Sequence, residues 1–304
     1  MPNSIINRPR SVSSATIQTG FKTLRLLFRI ELSAMVALSA LAGYLFGDGL
    51  WGHQILLVVG GVGLLAGGCS ALNQWQEQDL DVTMLRTRNR PLPTGTLTPA
   101  GALLLAALTI SSGALLLNAL AGSLPLLLGI LAVIWYNAIY TPLKRITPFA
   151  AIPGAVCGAL PPLIGWTAAG GELFSQKPLI LAGTLFVWQI PHTWLLLCRY
   201  RDDLRRSGLP DLFKTIATQR LLKINNCWLA ALFLCYLLFP LFGFIRHATL
   251  STLFLGGLGL LLVLMLGEQR RISRTGSVQR AFHLTNISMA LLLTVLILDR
   301  FFSG

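Results

Sequence analysis

The stretch Asn73-Gln-Trp-Gln-Glu77-Gln-Asp79-Leu-Asp81-Val-Thr-Met-Leu-Arg86-Thr-Arg88-Asn-Arg90-Pro91 places three acids and three arginines directly after a long apolar segment. If the helix of that segment continues, Asn73, Glu77 and Asp81 fall on one face, within an arc of about 80°. Asp79 would point away from that face. Acids at helical spacing offer oxygen ligands to hard cations, and nearby arginines suit the phosphates that such cations bridge. The stretch therefore predicts a metal–diphosphate site at a membrane surface, with Mg²⁺ favoured over zinc.

The same helical geometry limits how this row of side chains binds metal. Asn73 and Asp81 would lie about 12 Å apart along the helix axis, whereas bonds from Mg²⁺ to oxygen are about 2.1 Å long. We therefore expect the row to spread over more than one metal ion, or along a diphosphate.

The composition predicts an all-α, polytopic membrane protein. Of the 304 residues, 54% are hydrophobic and 12% are charged, and the mean hydropathy is +0.68. Apolar runs long enough to cross about 30 Å of hydrocarbon recur along the chain. We predict a basic tail at residues 1–24 and a single transmembrane domain at residues 25–304. Nine helical spans are expected, at residues 26–47, 53–73, 100–121, 124–142, 149–169, 178–198, 225–244, 248–267 and 282–302.

The net charge of +13 is explained by the predicted topology. When the 24 lysines and arginines are sorted by these spans, 21 fall on the side of the N-terminus, a bias that marks the cytoplasmic face. We therefore expect a multi-pass membrane protein whose N-terminus lies in the cytoplasm, or on the organellar equivalent of that side, and whose C-terminus lies outside. A bacterial inner membrane is the expected location. The charge pattern indicates the lipid bilayer as a partner, and nucleic acid is not expected.

A second group of acids, Asp202, Asp203 and Asp211, follows the sixth predicted span. Both acidic groups belong to loops on the same predicted membrane face. We expect them to converge above the helix bundle, and the alternative is a pair of separate, solvated loops.

Basic residues accompany the acids on this face. Arg86 and Arg90 are four residues apart, and Lys144 and Arg145 follow the fourth predicted span. Arginine suits bidentate phosphate contacts and lysine supplies a compact charge, so this set is suited to a diphosphate. For each of these residues, an ordinary topology signal is the alternative.

Four stretches of the chain resemble the UbiA superfamily of intramembrane prenyltransferases, and within it the haem O synthases, or protoheme IX farnesyltransferases. The run from Asn73 to Leu92 resembles the first signature of the superfamily. Tyr140-Thr-Pro-Leu-Lys144-Arg145 resembles its fourth-span ending, and Gly158-Ala-Leu-Pro-Pro162-Leu-Ile-Gly165-Trp166 resembles its fifth-span pattern. Its second signature is resembled by Trp188-Gln-Ile-Pro-His192, followed by Arg199-Tyr-Arg-Asp202-Asp203 and Gly208-Leu-Pro210. The resemblance covers roughly residues 25–300.

The chain departs from the pattern of that family at two positions. Glu77 stands where the family usually has Asp, and its carboxylate reaches one methylene further. Asp211 stands where the family tends to have Met. An added acid there would either join the second metal site or face water.

The resemblance implies that a farnesyl group passes from farnesyl diphosphate to a vinyl group of haem B, which gives haem O. Mg²⁺ would assist departure of the diphosphate, leaving an allylic carbocation in a cavity poor in water. Haem O would then serve haem A synthase or the assembly of a terminal oxidase. The alternative within the superfamily is an aromatic acceptor, such as a quinone precursor or chlorophyllide. Outside the enzymes, the alternative is a membrane transporter. A transporter would place its ionisable residues near the bilayer midplane.

The resemblance also implies roles for individual residues. The Mg²⁺ ligands would be Asn73, Glu77, Asp81 and Asp203. The catalytic residues would be Asn73, Glu77, Asp81, Arg86, Arg90 and Lys144. The substrate-binding residues would be Tyr140, Arg145, His192, Asp202 and Asp203.

His192 admits two interpretations. It follows Pro191 at membrane depth, where ionisable groups usually have a function, and a contact with haem iron is one of them. The other is a packing histidine whose imidazole bonds a neighbouring backbone carbonyl.

Overall fold

The computed structural model describes residues 14–120, 122–275 and 278–303, and every regular element within these ranges is helical. Residues 1–13 of the predicted basic tail lie outside the described residues. A π-helical segment, Trp135–Tyr140, joins α6 to α7. The helices are α1 (Ser14–Phe28), α2 (Ile30–Phe46), α3 (His53–Gln76), α4 (Gln78–Thr83), α5 (Pro99–Asn118), α6 (Leu124–Ile134), α7 (Thr141–Leu143), α8 (Ala151–Gly154), α9 (Val156–Ala168), α10 (Gln176–Arg199), α11 (Arg201–Ser207), α12 (Leu212–Thr215), α13 (Thr218–Leu241), α14 (Ala248–Thr275) and α15 (Gln279–Ser303).

The described chain has eight helical segments long and apolar enough to span a membrane, and nine if one bent pair counts as a span. The bent pair is Gly20–Phe28 with Ile30–Phe46, which meet at an angle of 49°. The all-helical membrane fold is thus confirmed, and each of the nine predicted spans coincides with an apolar helix. The first span differs from the prediction because it is broken at Arg29.

Local hydrogen bonding explains this break. Arg29 has left-handed backbone angles, with φ 46° and ψ 57°, which end α1 and turn the chain into α2. The buried side chain of Gln74 donates to the carbonyl oxygens of Leu26, at 3.0 Å, and Leu27, at 2.6 Å. Gln74 thus satisfies carbonyls that a continuous helix would bond internally. A hydropathy profile does not show that a distant side chain replaces helical hydrogen bonds, so the sequence predicted one uninterrupted span.

Glycines allow close contacts between the helices of the bundle, including α3, which carries Asn73 of the polar row. A Cβ atom on Gly113 of α5 would lie 2.8 Å from the carbonyl oxygen of Gly61 in α3. A Cβ atom on Gly165 of α9 would overlap the carbonyl oxygen of Ala40 in α2. Backbones approach this closely in membranes where small residues face each other. These contacts fix α3 against α5 and α2 against α9.

Two apolar cores fill the bundle. One includes Tyr44, Leu117 and Ile164, from α2, α5 and α9. The other includes Tyr236 and Phe239 of α13, packed with residues of α10, α14 and α15. The outer faces are also apolar, as side chains such as those of Leu115, Leu234 and Val263 are exposed. An apolar exterior of this extent is suited to lipid.

Polar loops gather at the two opposite ends of the bundle. At one end, the Asp48 carboxylate forms ion pairs with Arg246 and Arg300, and Asp299 accepts from the backbone N–H of Arg246 at 3.0 Å. Asp48 and Arg246 follow the first and seventh spans, and Asp299 and Arg300 lie near the end of α15, which is the ninth span. The loops after the second, fourth and sixth spans meet at the other end, where the candidate site lies.

Candidate active site

The polar row forms at the junction between α3 and α4. Glu77 leaves the helix, with φ −111° and ψ 17°, so α3 ends at Gln76 instead of continuing. Even so, the N–H of Glu77 donates to the carbonyl of Asn73 and the N–H of Asp81 to that of Glu77, each at 2.9 Å. These bonds keep the four-residue spacing across the break. All three side chains are buried, whereas the Asp79 side chain is 59% exposed and points away.

Glu77 is the centre of a network that joins α3 to the end of the fourth span. Lys144 Nζ lies 2.7 Å from Glu77 Oε1 and 2.9 Å from Oε2. The Asn73 amide nitrogen donates to Glu77 Oε2 at 2.9 Å and to the Thr141 hydroxyl at 3.0 Å. The Lys144 ammonium also lies 5.1 Å from the centre of the Tyr140 ring. The network places a carboxylate, an amide and an ammonium in one buried group.

The electrostatics around Lys144 are set mainly by burial and by Glu77, and two other cations contribute less. Burial lowers the pKa of the Lys144 ammonium, and Glu77 beside it acts in the opposite direction. Arg29 and Arg90 are close enough to add to the lowering. Positive charges from three parts of the chain therefore converge near this lysine.

The π-helical segment before Lys144 positions its neighbours. The extra residue per turn of a π-helix rotates the following side chains, and such segments are frequent at functional sites. Here the Asn137 amide donates to the carbonyl of Cys69 at 3.1 Å, and the Gln76 amide donates to the carbonyl of Asn137 at 3.0 Å. The segment is thereby bonded to α3 just below the row.

Asp81 is bound by Arg90 from the following loop. Arg90 Nη1 lies 2.8 Å from Asp81 Oδ1 and 2.7 Å from Oδ2, and the carboxylate is only 1% exposed. The Thr87 hydroxyl donates to the backbone carbonyl of Asp81 at 3.0 Å. Burial raises the pKa of the Asp81 carboxyl above its ordinary value, although Arg90 opposes this.

Asp203 is the member of the second acidic group that meets the first. Its carboxylate accepts from the backbone N–H of Leu85, at 2.9 Å, and of Arg86, at 3.1 Å. The loop after α4 is thus attached to α11. The Arg86 guanidinium also lies 5.2 Å from the centre of the Tyr200 ring.

The other two acids of that group do not join the row. Asp202 is 83% exposed and its nearest basic partner is Arg205, 3.8 Å away on the same helix. Asp211 is buried and accepts from the backbone N–H of Phe213 at 2.8 Å, which makes it the N-cap of α12. Convergence of the two acidic loops therefore takes place through Asp203, and the structure leaves Asp202 on the surface.

Arg145 forms an ion pair at the edge of the site. Arg145 Nη2 lies 2.7 Å from Asp79 Oδ1, and Nη1 lies 2.9 Å from Oδ2. Nη2 also donates to the backbone carbonyl of Gln76 at 3.0 Å. The hydrogen bonds from Arg145 hold the pKa of Asp79 below its ordinary value. This pair fastens the end of the fourth span to the end of α3.

A cleft of about 820 Å³ opens beside the row, between the α1–α2 break and the loop after α4. Its basic lining residues are Lys22, Arg25, Arg29, Arg86 and Arg90. The sequence pattern does not single out Arg29. Its one signal is that it is the basic residue within the apolar stretch 26–47, where a basic side chain is also an ordinary topology signal.

The protein side chains alone do not form a closed metal cage. Within the described residues, no group of three or more His, Cys, Asp or Glu side chains is close enough to hold an ion. Glu77 and Asp81 are paired with Lys144 and Arg90, and Asp203 is bonded to backbone amides. The oxygen-only donor set still suits Mg²⁺, which usually binds one or two carboxylates together with waters and substrate phosphates.

His192 lies on α10, facing α15. Its Nδ1 is 2.7 Å from Oδ1 of Asn286, a side-chain oxygen and not the backbone carbonyl considered in the packing interpretation. The ring lies between Trp188 and Phe282, with centroid distances of 4.6 and 5.0 Å. Because an amide oxygen accepts, Nδ1 is the donor in this contact, and a neutral imidazole then keeps its lone pair on Nε2.

Comparisons with known proteins agree on one family. The model of the UbiA prenyltransferase family matches residues 33–289. A protein named protoheme IX farnesyltransferase from Geobacter sulfurreducens is 46% identical over 218 residues, covering 71% of this chain and 80% of that protein. Another protein of that name, from Oleidesulfovibrio alaskensis, is 36% identical over 274 residues, covering 90% and 95%.

Solved structures share the fold. A UbiA homologue from Aeropyrum pernix K1, in its apo form, has a TM-score of 0.72 at 20% identity, covering 89% of this chain and 98% of that chain. A UbiA homologue from Archaeoglobus fulgidus, bound to GPP and Mg²⁺, has a TM-score of 0.63 at 15% identity, covering 90% and 99%. At these identities the similarity establishes the fold of the bundle.

Proposed function

Because this chain belongs to the UbiA prenyltransferase family, we propose that it transfers the farnesyl group of farnesyl diphosphate to a vinyl group of haem B, giving haem O. Relatives named protoheme IX farnesyltransferase support this acceptor and donor, since the match to one of them extends over 90% of the chain. The observation that carries the chemistry is a pair of buried carboxylates, Glu77 and Asp81, each held by a basic side chain beside an arginine-lined cleft.

The basic side chains would bind the diphosphate of the donor. Arg90 and Lys144 present charged N–H donors, which a phosphate oxygen accepts as readily as a carboxylate does. Exchange of carboxylate for phosphate oxygens around these two side chains would free Asp81 and Glu77 to face a cation. Arg86 lines the cleft together with Arg90 and would add a third positive charge.

Mg²⁺ fits the oxygen donors that this exchange provides. Asn73, Glu77, Asp81 and Asp203 are the residues that would hold it. Asn73 uses its amide nitrogen for Glu77 and Thr141, so its amide oxygen is the candidate ligand atom. When bound, Mg²⁺ supplies Lewis-acid stabilisation of the negative charge on the leaving diphosphate.

The transfer itself follows from departure of that group. The bond between the farnesyl C1 and the diphosphate oxygen breaks, and its electron pair leaves with the oxygen. The vinyl π electrons of haem B form the new carbon–carbon bond, and water adds to the resulting cation with loss of a proton. The apolar bundle would keep other water from quenching the allylic cation.

His192 is our candidate contact for haem. The bond from Nδ1 to Asn286 is of the kind that orients a ligating imidazole and leaves Nε2 available. Tyr140 and Arg145 belong to the same end of the bundle as Lys144 and complete the proposed substrate contacts. Asp202 lies at the surface, which makes it the weakest of the predicted contacts.

We place the protein in a bacterial inner membrane, with its N-terminus and the cleft on the cytoplasmic side. The distribution of lysine and arginine supports this orientation. Haem O made there would be passed to haem A synthase or to a terminal oxidase during its assembly.

Expression in a bacterial host that lacks its own haem O synthase tests the proposal. Haems extracted from the membranes and resolved by mass should include haem O, and an Asp81→Asn variant should yield haem B alone. Membranes that contain the folded protein but only haem B would contradict the proposed acceptor. An aromatic acceptor that becomes prenylated instead would identify the quinone-type alternative.

A further inference from the structure

Arg29 is held in an uncommon backbone conformation at the break between α1 and α2. Left-handed angles are unfavourable for a residue with a side chain, and Gly or Asn adopts them more readily. Here φ is 46° and ψ is 57°. Among non-glycine residues of the described chain, Asp48 is the other with a positive φ. Such an outlier in an otherwise regular helical bundle raises the question of what its side chain does.

The break is built into the structure on both sides of Arg29. Before it, Gln74 donates to the carbonyls of Leu26 and Leu27, as described above. After it, the hydroxyl of Ser33 donates to the carbonyl of Phe28 at 2.8 Å, and its N–H donates to the carbonyl of Arg29 at 3.0 Å. Because Gln74 is adjacent to Asn73, the break is tied directly to the polar row.

The Arg29 side chain lines the same cleft as Arg86 and Arg90. Arg90 is paired with Asp81, and Arg25, on the opposite wall, is paired with Glu31. No carboxylate lies within ion-pair distance of Arg29 or Arg86 in the described part of the chain. Cations that share a cleft repel one another, so their placement favours an anionic ligand that meets several of them at once.

We infer that Arg29 is a further donor-binding residue, which contacts the diphosphate of the prenyl donor from the α1–α2 break. The inference rests on the proposed function. Arg29 adds a contact from the first span, whereas the predicted diphosphate contacts come from the ends of the second, fourth and sixth spans and the loops that follow them. Because Arg29 lines the same cleft as Arg86 and Arg90, its charge would meet the same phosphate group as the charges of those two arginines.

The phosphate chemistry that would satisfy Arg29 has two sources at a membrane surface. One is the diphosphate of the donor, and the other is the headgroup of an anionic lipid. Binding of the donor diphosphate should require Mg²⁺, and inorganic pyrophosphate should compete with it. Binding of a lipid headgroup should depend on the phosphatidylglycerol content of a lipid nanodisc, and pyrophosphate should not affect it.

Substitutions at Arg29 separate the side chain from the backbone. Arg29→Gly and Arg29→Asn remove the guanidinium but suit left-handed angles, so the break should be kept. Arg29→Lys retains a point charge without the bidentate fork. Arg220→Gln, at an exposed position of α13 outside the cleft, is the control for a change in net charge.

The measurement is binding of inorganic pyrophosphate with Mg²⁺ to the full-length protein in nanodiscs of neutral lipid, together with binding of phosphatidylglycerol to the same protein. We expect Arg29→Gly and Arg29→Asn to weaken pyrophosphate binding about tenfold or more, the loss typical of one charge-assisted hydrogen bond. Arg29→Lys should fall between these and the wild type, and Arg220→Gln should match the wild type. The KM for farnesyl diphosphate should rise while that for the acceptor stays unchanged.

Wild-type affinity for pyrophosphate in the folded Arg29→Gly and Arg29→Asn variants would overturn the inference. A loss confined to binding of phosphatidylglycerol would also overturn it, in favour of a lipid headgroup. The proposed function fails separately, when the wild-type protein binds pyrophosphate through Arg29 but makes no haem O.

Discussion

At the residue scale, the charge of Asp81 is the feature on which the proposed chemistry depends most. Asp81→Asn keeps the shape of the side chain and an oxygen for Arg90, but it removes the negative charge. We expect turnover to fall about 100-fold or more, the size of effect seen when one preorganised electrostatic contact is lost. The measurement is the initial rate of product formation by equal amounts of folded protein in membranes.

Asp79→Asn is the matched control, two residues away. The partner of Asp79 is Arg145, and this ion pair is exposed, so its loss should lower the free energy of unfolding by about 1 kcal/mol or less. Turnover should stay within about threefold of the wild-type value, because the ion pair contributes to the stability of the fold more than to the reaction. Equal losses for the two variants would mean that burial of Asp81 in the row has no bearing on catalysis.

His192 makes a second prediction at this scale. If its Nε2 binds haem iron, haem added to the purified protein should give a Soret band that shifts in the His192→Ala variant. Binding of pyrophosphate should survive the change, because the diphosphate-binding side chains come from other elements. An unaltered spectrum together with normal turnover would make His192 a packing residue, held between Trp188 and Phe282.

Residue spacing predicted part of this site, and tertiary contacts decided the rest. The four-residue spacing of Asn73, Glu77 and Asp81 was sufficient to place them on one side, with Asp79 outside. The exposure of Asp202 and the capping role of Asp211 depend on where α11 and α12 turn after α10. No pattern in the sequence specifies that turn, so the sequence predicted a substrate contact for Asp202 and did not predict the capping role of Asp211.

At the scale of elements, the contact between α2 and α9 positions the break at Arg29 relative to the rest of the bundle. Gly165→Ala would force a methyl group into the carbonyl oxygen of Ala40. Overpacking of this kind costs about 1–3 kcal/mol in the free energy of unfolding. Unfolding of the detergent-solubilised protein by increasing amounts of sodium dodecyl sulfate is the measurement.

Gly259→Ala in α14 is the control, because a Cβ atom there meets open space. It should leave the free energy of unfolding unchanged or slightly higher, as alanine is the better helix former. If both variants unfold alike, the glycine in α9 does not limit the approach of α2.

Hydropathy located the spans to within a few residues, but the departures from regular helix were outside its reach. The break at Arg29 arises because Gln74, distant in sequence, satisfies the carbonyls of α1. The π-helical turn Trp135–Tyr140 is likewise stabilised by bonds to α3. Both depend on partners more than 40 residues away in the chain, so local periodicity gave no sign of them.

At the scale of the whole molecule, the nine-span topology predicts opposite locations for the cleft and the C-terminus. A reporter that is active only in the cytoplasm should be silent when fused after Gly304 and active when inserted near Leu97. Two ion pairs support these opposite locations. Lys144 pairs with Glu77 at the end of the bundle reached after even-numbered spans, and Arg246 pairs with Asp48 at the other end. A cytoplasmic signal from the C-terminal fusion would mean an even number of spans.

The central claim is that one buried acidic row and its basic partners drive transfer of a farnesyl group to haem B. The most direct test supplies purified protein in nanodiscs with farnesyl diphosphate, haem B and Mg²⁺, and follows the haem by mass. We predict haem O together with one pyrophosphate for each haem converted, and neither product from Asp81→Asn or from wild-type protein with chelated Mg²⁺. Haem B left unchanged by folded protein that binds pyrophosphate, or equal conversion by Asp81→Asn, would contradict the claim.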